Sequence, residues 1–122
     1  GGGVALLSSR PALQKLLDQS TNADERAAYR ILIRALEEPI RTILTNAGYD
    51  ASEVMAEIKR AGPGYGFDVR SGKIVNAVEA GILDAAAVQK EAMHSAIAGA
   101  ALALTVDVLV QRRYPPQSFE TT

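Results

Sequence analysis

Apolar residues recur at helical spacing along most of the chain. Val4, Leu6, Leu7, Leu13, Leu16 and Leu17 predict a helix over 4–18 that is interrupted at Pro11. Proline suits the first turn of a helix, so Pro11 can open a second short one. After a loop at 21–23, Ala28, Ile31, Leu32, Ala35, Leu36, Pro39, Ile40, Ile43 and Ala47 continue with helical periodicity. Arg26, Arg30, Arg34, Glu37, Glu38 and Arg41 mostly take the other side. Asn22 followed by Glu25 has the spacing of a capping box, and Gly48 supplies a stop. Pro39 lacks a donor and would clash with the Ala35 carbonyl, so this helix should kink or split there. Asp50, with Glu53, opens a third helix that carries Val54, Met55 and Ile58 and ends at Gly62-Pro63.

The pattern then changes period. Residues 65–69 and 73–75 are β-prone and flank Arg70-Ser71-Gly72, which predicts a small hairpin. Two strands alone are marginal, so the hairpin must pack on the helices. A helical turn over 76–80 ends at Gly81. Asp84 then reads as the cap of the longest helix, which is expected to reach about Val108. Residues 96–110 are apolar almost throughout, the mark of a helix buried on every side. Asp107 and the short run argue against a membrane span, so no membrane partner is expected. Leu109, Val110 and Gln111 have strand-like composition. Residues 113–122 read as a loose tail and 1–112 as one domain.

Composition narrows the chemistry. Net charge is −1, and nothing in that balance suggests a nucleic-acid partner, which usually needs a clustered basic face. The chain has no cysteine and a single histidine, His94, so disulfides, thiolate metal sites and histidine clusters are all excluded. No phosphate loop, nucleophile elbow or zinc-protease motif occurs. Three features can still hold a ligand. Gly1-Gly2-Gly3 runs into a helix, where bare backbone can approach an anionic or flat group. In Gly64-Tyr65-Gly66-Phe67-Asp68, the Asp68 carboxylate can accept from an exocyclic amine. Asp84 can accept from a ribose hydroxyl. Each has a plainer reading as well: a linker, the polar end of a hairpin, and a helix cap.

The order of these segments carries a resemblance. GGGVALL, RALEEPIRTILTNAGYDASEV, GYGFDVRSGKIVNAVEAGILD and a long alanine-rich helix closely resemble, nearly collinearly from Gly1 to about Arg112, the C-terminal stretch of group I (GroEL-type) chaperonins. The resemblance implies a mainly α fold, an equatorial-domain-like helical bundle with a small β-hairpin. It makes the glycine triplet internal to a longer chain rather than a linker. By position, Gly2 is similar to the glycine whose backbone lies near the nucleotide. Asp68 falls at the adenine end, with Val69 following it. Ile82 corresponds to an apolar wall for the base, and Asp84 to the acid that meets the ribose. Arg70 departs from the small residue usual there. Leu109, Val110 and Gln111 correspond to a strand that pairs with a neighbouring subunit.

The implied ligand is ATP or ADP. Mg²⁺ and K⁺ would be held by parts of the parent that lie outside this sequence. Implied partners are other subunits of a ring, together with unfolded polypeptides and a co-chaperonin bound through domains not included here. The implied setting is the cytoplasm. The tail QRRYPPQSFETT departs from the Gly-Gly-Met repeats of many relatives. The expected role is a chaperonin fragment that carries the adenine and ribose side of the site, with no catalytic residue and no activity alone. The alternative is a free-standing helical module that binds nucleotide or protein without turnover.

Overall fold

Local signals explain most of the element boundaries. The computed structural model describes residues 1–111 and 113. Helices α1 (Val4–Ser8) and α2 (Arg10–Gln19) are separated at Ser9, two residues before Pro11. The Ser9 hydroxyl donates to the Ala5 carbonyl at 2.9 Å, and Pro11 sits in the first turn of α2, where a missing N–H costs nothing. Helix α3 (Ala23–Ala35) begins at Asn22, whose Oδ1 accepts from the Asp24 and Glu25 amides at 2.9 and 3.0 Å. Glu25 does not reach back to close the box. Its carboxylate accepts from the hydroxyls of Ser20 and Tyr29. Arg26 turns toward the preceding loop and donates to the carbonyls of Leu17 and Ser20 at 2.7 and 2.8 Å, which fixes α2 against α3.

Pro39 does divide the long periodic segment. Helix α4 (Glu38–Asn46) is separate from α3, with the proline again in the first turn. Helix α5 (Ala51–Ala61) is capped by Asp50, which accepts from Ser52 and Glu53 at 2.8 and 3.0 Å. The hairpin pairs β1 (Tyr65–Asp68) antiparallel with β2 (Lys73–Asn76), in the register Gly66 to Val75 and Phe67 to Ile74.

The core lies between α4 and α5. Ile40, Leu44, Ala51, Val54 and Ile58 are buried there, with Leu7, Tyr49, Met55, Phe67, Val69 and Ile74 packed around them. Ile40 and Leu44 share one helical face, as do Ala51, Val54 and Ile58. The buried stripe of the periodic segment therefore runs through Leu36, Ile40 and Leu44. Ile31 and Ile43, expected on the apolar face, are exposed at 68% and 39%, because a helix in contact on one side covers only a narrow stripe.

The chain divides into two compact units, Gly1–Asp84 and one beginning at Ala85. The second holds α6 (Ala86–Ala103). Two expectations fail here. The N-cap is Ala85, which has no capping side chain, rather than Asp84. The helix also stops at Ala103 instead of reaching Val108. The Thr105 hydroxyl donates to the Leu102 carbonyl at 2.7 Å, and Thr105, Val106, Val108 and Val110 are β-branched residues that resist helical rotamers. Within its own unit none of the α6 residues is buried. Among the described residues, no helix is long and apolar enough to cross a membrane. Of the tail expected over 113–122, only Arg113 is described.

Candidate functional site

The glycine triplet approaches other backbone closely. Gly2 and Gly3 have φ of 64° and 79°, a left-handed conformation that side chains resist. A Cβ on Gly1 would stand 2.9 Å from the Ile82 carbonyl carbon and the Leu83 nitrogen. A Cβ on Gly3 would stand 2.7 to 2.9 Å from Ile40. Packing against the segment 82–84 and against α4 therefore demands glycine at these two positions. Gly2 differs, because its nearest neighbour would be Ile82 Cγ2 at 3.3 Å. Helix α1 adds little as an anion-binding terminus. It has five residues, and the Val4 amide donates back to the Gly1 carbonyl at 3.2 Å.

Ile82 and Asp84 stand beside this loop. The turn after β2 brings them there: Asn76 Oδ1 accepts from Val78 and Glu79, and the Ile82 amide donates to the Ala77 carbonyl at 2.9 Å. Ile82 is half-buried. Asp84 is 45% exposed, with Oδ2 3.6 Å from the Gly1 nitrogen. Gly2, Ile82 and Asp84 thus share one edge, where backbone amides, an apolar branch and a carboxylate lie side by side.

Asp68 and Val69 lie at the other end of the hairpin from Asn76. Asp68 holds its own turn. Its carboxylate accepts from the Ser71 hydroxyl at 2.7 Å and the Arg70 amide at 3.0 Å, and its carbonyl accepts from the Gly72 amide at 2.8 Å. The Ser71 hydroxyl above all, then the Arg70 amide, holds its pKa below the usual carboxylate range. Val69 packs toward the core, and its carbonyl accepts from the Tyr49 hydroxyl at 3.3 Å. Arg70 is exposed.

Val4 ties the hairpin to the glycine segment. Gly66 and Asp68 project to one face, opposite Phe67. On that face Val4, the residue after the triplet, covers Gly66: a Cβ there would meet Val4 Cγ2 at 2.5 Å. Asp68 lies two residues on, about 6.7 Å along the strand. Its carboxylate is held there within the 68–72 turn.

Sequence reasoning missed three features. Val4 is a buried spacer between α1 and the hairpin. Tyr49 reaches across to the turn. Glu37 receives Arg10 at 2.6 Å and Arg41 at 3.3 Å. Only the Glu37–Arg41 spacing was legible beforehand, as a helical i,i+4 pair. This ion cluster borders a cavity of about 720 Å³, also lined by Leu7, Ile33, Met55 and Tyr65, and none of the expected site residues lines it. Leu109, Val110 and Gln111 are exposed and form no strand with other described residues.

Comparison with known proteins agrees with the fold. A model of the TCP-1/cpn60 chaperonin family matches residues 1–113. Among solved structures, the open-state monomer of a group II chaperonin from Methanococcoides burtonii is similar, with a TM-score of 0.78 at 22% identity. The similarity covers 87% of this chain and 27% of that one, so this chain spans little more than a quarter of that subunit.

Proposed function

The chain belongs to the TCP-1/cpn60 chaperonin family, and on that premise we propose that it forms the base and ribose side of an adenine-nucleotide site in the equatorial domain of a chaperonin. The subunit is of the group I type, on the strength of the combined motifs RALEEP and GYGFD with GILD. The solved neighbour is a group II protein, but at 22% identity it speaks to the fold alone.

One observation carries the reading: Gly2, Ile82 and Asp84 converge on one edge. In the proposed complex Ile82 lies against the base, Asp84 accepts from ribose hydroxyls, and the Gly2 backbone lies along the nucleotide. Asp68 and Val69 meet the adenine end. These contacts position ATP or ADP and break no bond. Phosphoryl transfer needs charge stabilisation around the phosphates, which other parts of the whole subunit supply, together with Mg²⁺ and K⁺. Leu109, Val110 and Gln111 offer an open backbone edge to a neighbouring subunit, and such an edge is a template for pairing. The whole subunit acts in the cytoplasm on unfolded polypeptides with a co-chaperonin.

Calorimetric titration with ATP tests the site. The isolated chain should bind weakly and show no turnover. Loss of a hydrogen bond to a charged group typically weakens binding about tenfold or more, so Asp84→Ala should do so. Unchanged affinity in that variant, or robust magnesium-dependent hydrolysis by the chain alone, would overturn the reading.

A further inference from the structure

Tyr49 belongs to the short connection between α4 and α5, yet it contacts the hairpin at two points. Its hydroxyl donates to the Val69 carbonyl at 3.3 Å. Its ring meets Phe67 edge-on, with centroids 4.7 Å apart and planes at 75°. The same hydroxyl would lie 3.3 Å from a Cβ on Gly72, so the phenol stands close over the turn between the strands. The turn has few other anchors. Asp68, Arg70 and Ser71 bond chiefly to one another. Those bonds shape the turn but do not fix it to the helices. Phe67 and Val69 fix it by packing, and packing leaves sliding along the strand comparatively soft. A hydrogen bond to the main chain at Val69 opposes that sliding.

We propose that Tyr49 is a positioning residue for the adenine end of the site, holding the turn 68–72 at a fixed place on the core and linking the α4–α5 connection to it. The proposal rests on the nucleotide reading for its functional half. Its structural half stands on the contacts alone. Displacement of the α4–α5 connection would move Tyr49, and with it the carbonyl of Val69 and the carboxylate of Asp68. Contact made at that connection would then alter nucleotide affinity with no direct contact to the ligand.

Tyr49→Phe isolates the effect, since it keeps the ring against Phe67 and removes only the hydroxyl. Tyr29→Phe is the control, because the Tyr29 hydroxyl bonds Glu25 on α3. Three quantities are measured on each full chain: amide exchange at Arg70, Ser71 and Gly72, the NMR titration of the Asp68 carboxyl, and the ATP dissociation constant. In Tyr49→Phe, exchange in the turn should accelerate several-fold and the Asp68 pKa should rise toward the ordinary value. The ATP dissociation constant should increase about two- to tenfold, the range of one neutral hydrogen bond. Tyr29→Phe should change none of these.

Unchanged exchange and unchanged Asp68 titration in Tyr49→Phe would overturn the proposal at its root. A loosened turn with unaltered ATP affinity would overturn the link to the site. Absence of ATP binding by the wild-type chain would overturn the nucleotide reading and that link together. The exchange and titration results would still decide whether Tyr49 positions the turn.

Discussion

At Gly3 a φ of 79° and the Ile40 side chain both act on the atom that glycine lacks. Gly3→Ala meets a left-handed penalty of about 1–2 kcal/mol. Overlap with α4 adds to it, so a total loss of about 2–4 kcal/mol is expected. Gly2→Ala shares the backbone penalty but meets only a side-chain methyl, and should cost about 1–2 kcal/mol. Urea unfolding of both variants checks the order, and equal costs would mean that Ile40 yields easily. Asp68 gives a second prediction at this scale. Its folded pKa is depressed, so its contribution to stability is present above the unfolded pKa and is lost as pH falls through the folded one. Ser71→Ala removes the larger cause and should raise the Asp68 titration midpoint in an NMR experiment. The glycines and acids of the candidate site stood out in the sequence as groups able to hold a ligand, and the resemblance gave them their proposed roles. Tyr49 was not, because its partner lies twenty residues away and a tyrosine in a loop carries no local sign of where its hydroxyl reaches.

Among the elements, the prolines and the forward half of each cap were read correctly, where the partner groups are local, while the returning glutamates of the two expected capping boxes were not. Asn22 and Asp50 bond amides two and three residues ahead, and Pro11 and Pro39 act on their own turns. The start of α6 was misplaced by one residue. Both Asp84 and Ala85 precede the helical run, and the cap goes to the residue whose backbone makes the entry, not to the best side chain nearby. The end of α6 was misplaced by five residues, because apolar content was read as helix while β-branching opposed it. The cap geometry predicts opposite signs for two substitutions. Asn22→Ala should destabilise by about 1 kcal/mol, whereas Ala85→Ser, at an extended backbone of φ −69° and ψ 125°, should stabilise by a similar amount. Thermal or denaturant unfolding measures both, and a destabilising Ala85→Ser would mean that Asp84 does more for the helix than its place outside the cap implies.

On the scale of the whole molecule, the second unit does not bury the apolar residues of α6 and of the segment after it. Val88, Leu102, Leu104, Val106, Val108, Leu109 and Val110 are each more than half exposed, and between Glu91 and Asp107 there is no Asp, Glu, Lys or Arg. Such a segment is unfavourable in water at about 25 cal/mol for each Å² left open, so it draws any available apolar surface over itself. Because the apolar residues run all round the helix, one partner on one side cannot satisfy it. The sequence announced this need for burial but could not supply the surfaces that meet it. The isolated chain should therefore self-associate, and multi-angle light scattering should show a mass that rises with concentration. Leu102→Lys with Leu109→Lys places charge on the helix and on the segment beyond it, and should return the chain toward monomer. The Gly1–Asp84 unit lies outside both substitutions, so the amide-exchange protection of Ile40 and Leu44 should persist in the double variant. A strict monomer at high concentration in the wild-type chain would show that α6 satisfies its own surface. A double variant that still associates would move the interface elsewhere, to the exposed Ile31 or Val78 of the first unit.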